Sequence, residues 1–119
     1  MVNAREQIYQ ALQTCCDNVS VIQPEKAVTL PLIVYGEITN TTVSKWVESI
    51  EFQVDVYAAD FEEMVELAED ADAVMRGIGF SRIYASPDAN ARIDTDLYKK
   101  ALNYHANVDT YHGNILKED

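Results

Sequence analysis

Residues 49–59, "SIEFQVDVYAA", alternate without a break. Ile50, Phe52, Val54, Val56 and Ala58 fall on one parity, and Glu51, Gln53, Asp55 and Tyr57 on the other. A period of two sends successive side chains to opposite faces of an extended chain, so this segment is a strand with one buried face. The period then changes at once. In "DFEEMVELAEDADAVMRGIGF", 60–80, the residues Phe61, Met64, Val65, Ala68, Ala71, Met75 and Ile78 recur at helical intervals and make a continuous apolar stripe. A chain that places these two periods back to back combines a sheet with helices.

The same stretch carries seven carboxylates in its first thirteen residues and no base among them. Local physics accounts for them without a catalytic or metal-binding role. Asp60 stands at the N-cap, where its side chain accepts a backbone N–H, and Glu63 stands three later, as in a capping box. Acids in a first turn also face the positive end of the helix dipole. Glu62, Glu63, Glu66, Glu69 and Asp70 lie largely opposite the apolar stripe. Repulsion among Glu62, Glu66 and Asp70 costs a few tenths of a kcal/mol per pair, roughly, which a helix tolerates. A hard-metal site needs oxygens converging from several elements, and the spacing matches no calcium loop. The acids therefore read as a solvated face. Arg76 suits the last turn, and Gly77 is the expected left-handed C-cap.

The remaining elements follow from the same two periods. Residues 3–17 read as a helix whose Ile8, Tyr9, Leu12, Cys15 and Cys16 share a face, with Asn3 as cap and Glu6 as its box partner. Residues 19–29, with Pro24, read as a loop. "LPLIVYGEI", 30–38, is a strand whose Pro31 suits a beginning or an edge. "TNTTVSKW", 39–46, is a long hairpin arm or a flexible loop. "GFSRIYAS", 79–86, is a short strand, and 87–96 is turn-rich. In 97–109, "LYKKALNYHANVD", Tyr98, Lys100, Leu102, Tyr104, Ala106 and Val108 share one face, and Lys99, Ala101, Asn103, His105 and Asn107 the other. Residues 110–119 read as a loose tail. The length fits one domain, 1–119.

Composition narrows the function. Hydrophobic residues are 48% of the chain, enough for a packed core. Nine basic against twenty acidic residues give a net charge of −11, which opposes nucleic-acid binding through phosphates. No stretch has the apolar length of a signal peptide or a membrane span, so the expected compartment is the cytoplasm, with no membrane partner. Adjacent Cys15 and Cys16 lack zinc-ligand spacing and read as reduced thiols. The triplets Asn18-Val19-Ser20 and Asn40-Thr41-Thr42 are chance matches to a glycosylation pattern. There is no Gly-rich phosphate loop and no nucleophile elbow. His105 could serve as a ligand or base, or be a surface histidine. We expect no catalytic residue, no metal ligand and no cofactor. The seven tyrosines suit a sheet face or an oligomer interface.

The middle segment "IEFQVDVYAADFEEMVELAEDADAVMRGIGF", together with the early "IYQAL", the strand "PLIVYGEI" and the late "YKKALNYHANVD", resembles the tail-terminator and tail-completion (head–tail joining) proteins of long-tailed bacteriophages, a group that includes lambda's U protein. The resemblance covers about residues 4–109. It implies an α/β (α+β) fold: a single mixed sheet of about four strands with two helices on one face, in the order α-β-β-α-β-β. It implies no enzyme. It implies a structural virion protein at the head-proximal end of the tail, made in the host cytoplasm, forming a homo-hexameric ring. That ring would meet the tail tube protein on one side and a neck or head-completion protein on the other, with DNA passing through unbound. On this reading Thr41, Thr42, Lys45 and Trp46 are interface candidates, although Trp46 could equally fold back as a core anchor. Glu51, Asp55 or the acids of the second helix would line or flank the channel. The alternatives are a neck or connector component of the same virion, a small ferredoxin-like ligand-binding regulatory domain, and an enzyme with a perturbed carboxylate or histidine in a cleft.

Overall fold

The structure, a computed structural model, describes residues 4–21, 29–112 and 114–116. In chain order it has α1 (Ala4–Gln13), β1 (Val19–Ser20), β2 (Leu32–Ser44), β3 (Val47–Ala58), α2 (Phe61–Gly77), β4 (Ser81–Ala85), a 3-10 turn (Asp88–Asn90), β5 (Arg92–Asp94), β6 (Leu97–Asp109) and β7 (Asn114–Leu116). The strands form one curled sheet. The expectation of about four strands in the order α-β-β-α-β-β is therefore corrected to seven strands, with an extra strand before β2 and two more around β6. β1, β5 and β7 are two or three residues long. A strand that short contains no full hydrophobic alternation and is fixed only by the neighbour it pairs with. β1 falls in the stretch read as the 19–29 loop, and β7 in the stretch read as a tail. The Asn3 cap and Pro24 lie outside the described residues.

β3 and β6 are the centre. They pair antiparallel from Val47↔Asp109 to Ala58↔Tyr98 with no register shift. β2 flanks β3 antiparallel, with irregularities between Glu37 and Thr39 and between Thr42 and Ser44. On the far side of β6, three short strands sit in file: β5 at its start, β4 in the middle and β7 at its end. β1 runs parallel to β2 at Ile33 and Val34. The segment 39–44 is thus strand, and the hairpin turns at Lys45–Trp46.

One face of this sheet is the core. Ile50, Phe52, Val54, Val56 and Ala58 of β3 and Leu102, Tyr104, Ala106 and Val108 of β6 are buried with Ile8 and Leu12 of α1 and with Met64, Leu67, Ala68, Ala71 and Met75 of α2. Phe52 and Phe80 meet edge to face at 6.0 Å between centroids. The helical stripe is wider than its periodicity suggested: Leu67 is buried, whereas Phe61 is exposed. The opposite sheet face is polar except at one end, where Tyr57 packs with Leu32 and Val34.

Local rules explain the two ends of α2. Asp60 is extended at φ −137, ψ 162, and its side chain accepts the Glu63 N–H at 2.8 Å. At the other end the left-handed residue is Gly79, φ 110, not Gly77. Phe80 N–H donates to Met75 C=O and Gly79 N–H to Arg76 C=O, a Schellman arrangement with Phe80 and Met75 both buried. The helix runs two residues longer because Ile78 still contributes to the core.

Glu62, Glu66, Glu69 and Asp70 are exposed, but Asp72 is turned inward. It accepts the hydroxyl of the fully buried Tyr104 at 2.7 Å, and Arg76 Nε at 2.9 Å, with Arg82 at 3.6 Å. Burial, reinforced by the Asp72 hydrogen bond, pushes the Tyr104 hydroxyl far above its ordinary pKa, so it stays a donor.

The two glycines give opposite predictions. A Cβ at Gly77 meets nothing within 4 Å. Gly77→Ala should therefore raise unfolding stability by about 0.5–1 kcal/mol, and Gly79→Ala should lower it by about 1–2 kcal/mol. Urea denaturation of the two variants checks this. Equal effects would mean that the helix ends elsewhere.

Candidate functional site

Among the described residues no catalytic constellation converges, and the candidate site lies where side chains remain uncommitted. The described residues contain no group of three His, Cys, Asp or Glu that could hold a metal ion. The cleft between α2, β4 and β6, about 280 Å³, is lined by Glu69, Asp72, Arg82, Asp88 and Lys100 among apolar neighbours. Most of its charges satisfy one another. Asp72 is held by Tyr104 and two arginines, and Lys100 Nζ donates to Ser86 C=O and Asp88 Oδ1, each at 2.5 Å. Cys15 and Cys16 are separate thiols whose pKa values burial raises, which keeps them protonated.

His105 lies on the polar sheet face, opposite Glu51 on β3 and Ser81 on β4. Its Nε2 is 2.7 Å from Ser49 Oγ. That pair sits on an open strand surface with no ring of donors around it, so it cross-links β3 and β6 rather than forming a pocket. Glu51 and Asp55 are on the same face. Asp55 is engaged by Gln53 Nε2 at 2.8 Å and Lys99 Nζ at 3.8 Å, whereas Glu51 has no ion-pair or hydrogen-bond partner among the described residues. The α2 acids are on the other side of the sheet. A single channel wall could therefore present one of these two acidic groups but not both.

The uncommitted surface is at the β2–β3 turn, where the β3–β6 ladder also ends, at Val47 and Asp109. Thr41, Thr42, Lys45 and Trp46 are all exposed there. Trp46 is 54% exposed and does not enter the core. The turn is built nonetheless. Thr110 N–H donates to Trp46 C=O at 2.9 Å, and Thr110 Oγ1 donates to Lys45 C=O at 3.1 Å. Lys45 Nζ lies 4.9 Å from the Trp46 ring centroid. Tyr111, 68% exposed, meets Trp46 edge to face at 6.1 Å, and His112 meets Tyr111 edge to face at 4.6 Å. Asp109 fastens this second loop: its carboxylate takes His112 Nδ1 and the Tyr111 N–H, each at 2.8 Å. Those bonds, the one from His112 first, hold its pKa below the usual carboxylate range.

An exposed aromatic cluster held by hydrogen bonds from two loops is the candidate site. Aromatic rings that stay wet on a monomer gain most when a partner covers them. Tyr111 and Asp109 were not readable as partners of Trp46, because the two loops are brought together only by the β3–β6 ladder. Comparison with protein-family models and with curated protein sequences gives no match.

The Asp109 clamp predicts a pH effect at the tip. A carboxylate with a lowered folded pKa contributes above the unfolded value, about 3.9, and that contribution is lost as pH falls through the lower folded value. Trp46 is the sole tryptophan. Its emission should therefore change in acid below about pH 3.9, before the core unfolds, and the step should vanish in Asp109→Asn. A single transition shared with the far-ultraviolet circular dichroism would show that the tip has no separate clamp.

Proposed function

We propose that this protein is a structural virion protein that caps the tube of a long phage tail as a ring, ends tube polymerisation and offers a surface to the head or neck. The observation that carries the reading is the β2–β3 hairpin, with Thr41, Thr42, Lys45 and Trp46 exposed toward its turn and Trp46 beside Tyr111. It is joined by the likeness of the strand–helix–strand middle of the sequence to tail-terminator proteins. An aromatic tip at the end of the β2–β3–β6 sheet suits insertion against a neighbouring subunit or the last tube ring, because the ladders beneath it already carry much of the ordering cost. The strongly acidic surface suits a conduit through which DNA slides without adhering. In that ring Glu51, uncommitted on the polar sheet face, is the preferred channel-facing acid.

The test is genetic and visual. The gene is inactivated in the phage or prophage that carries it, and the lysate is viewed by negative-stain electron microscopy. Overlong or irregular headless tails are expected. Tails of normal length left unattached would transfer the role to the neck, and normal infectious particles would sink the structural reading. Complementation with Trp46→Ala should fail to restore normal tails while the purified variant keeps its fold, because a half-exposed ring contributes little to the monomer.

A further inference from the structure

We infer that the sheet continues through a second copy of the chain, the distal edge of β2 in one protomer joining the β4 edge of the next. The β1 partner of β2 ends at Val34, and among the described residues no strand pairs the outer edge of β2 from Glu37 to Ser44. The direction of its free groups can be traced. Ile33 N–H donates to Asn18 C=O, away from β3. Strand alternation, with the irregularity between Glu37 and Thr39, then aims the N–H groups of Asn40 and Thr42 outward as well. This edge, "TNTTVS", lacks the Lys and Pro that normally blunt a free edge.

The opposite rim matches it. β4 is five residues long, exposed over Ser81–Tyr84, and unpaired on its outer side among the described residues. Each rim carries its own apolar residues: Ile38 and Val43 on the β2 side, Ile83 and Ile93 on the β4/β5 side, each between 44% and 61% exposed. Two different rims on one protomer, each with open backbone groups and exposed apolar residues, make a head-to-tail contact, whereas a twofold contact would need one self-complementary rim. Such a joint pairs both sets of open backbone groups and covers both apolar pairs. It rests on the ring reading for its closure.

The full-length chain is concentrated until it associates, followed by sedimentation velocity and amide exchange. The expected result is a larger species in which the amides of Asn40 and Thr42 and those of β4 slow together. Thr42→Pro removes one outward N–H where an edge strand tolerates proline, and it should abolish the larger species while preserving the monomer's circular dichroism. Ile83→Lys should do the same from the other rim. The joint is overturned by association that leaves these amides unslowed, by slowing on β2 alone, by a Thr42→Pro protein that still associates, or by a chain that stays monomeric to its solubility limit. Any of these would leave the terminator role standing on the tail phenotype. Normal tails from the inactivated gene would remove that role and leave the joint.

Discussion

Everything else in this fold hangs on the β3–β6 ladder. It runs from Val47↔Asp109 to Ala58↔Tyr98 without a shift, and both strands bury one parity of residue and expose the other. A one-residue slip of β6 would turn Leu102, Tyr104, Ala106 and Val108 into water together, so the register is held by hydrophobic burial. The irregular pairings are all peripheral, on β2, β4 and β5. Bulges bend a strand and increase its twist. A regular centre with bulged flanks therefore gives a sheet that curls around the two helices.

That division also explains where function can reside. The concave side is filled mainly with apolar side chains, and the fully buried Tyr104 among them has its hydroxyl committed to Asp72. Most charged residues in the cleft beside it neutralise one another. What the fold leaves free is peripheral: two sheet rims and an arm tip. The tip is more than a floppy loop, since Thr110 and Asp109 tie two turns into one surface.

The acidic excess takes on a spatial meaning only in the folded chain. From the sequence, Glu51, Asp55 and the α2 acids were one group of channel candidates. The sheet separates them. Asp55 is neutralised locally by Lys99, Glu51 stays open on the polar face, and the α2 acids look outward from the helical layer. Long-range repulsion of a polyanion needs only the net charge, but lining a wall needs one face.

The sequence by itself determined the segments whose periodicity is long enough to be unambiguous: β3, α2, β6, the apolar beginning of β2 and the buried Ile8 and Leu12 of α1. It also placed the Asp60 cap, because capping is decided within four residues. Only the tertiary structure decided the rest. β1, β5 and β7 exist because β2 and β6 offer them backbone partners, not because their residues alternate. Gly79 rather than Gly77 ends α2, because Ile78 gains more by packing than the helix loses by continuing. Trp46 stayed ambiguous between anchor and arm until the ladder placed Thr110 and Tyr111 beside it. Hydrophobic period and capping are local properties that a sequence states directly, whereas an edge, a rim or an exposed ring is defined by which neighbours are absent, and that is settled only when the chain has folded.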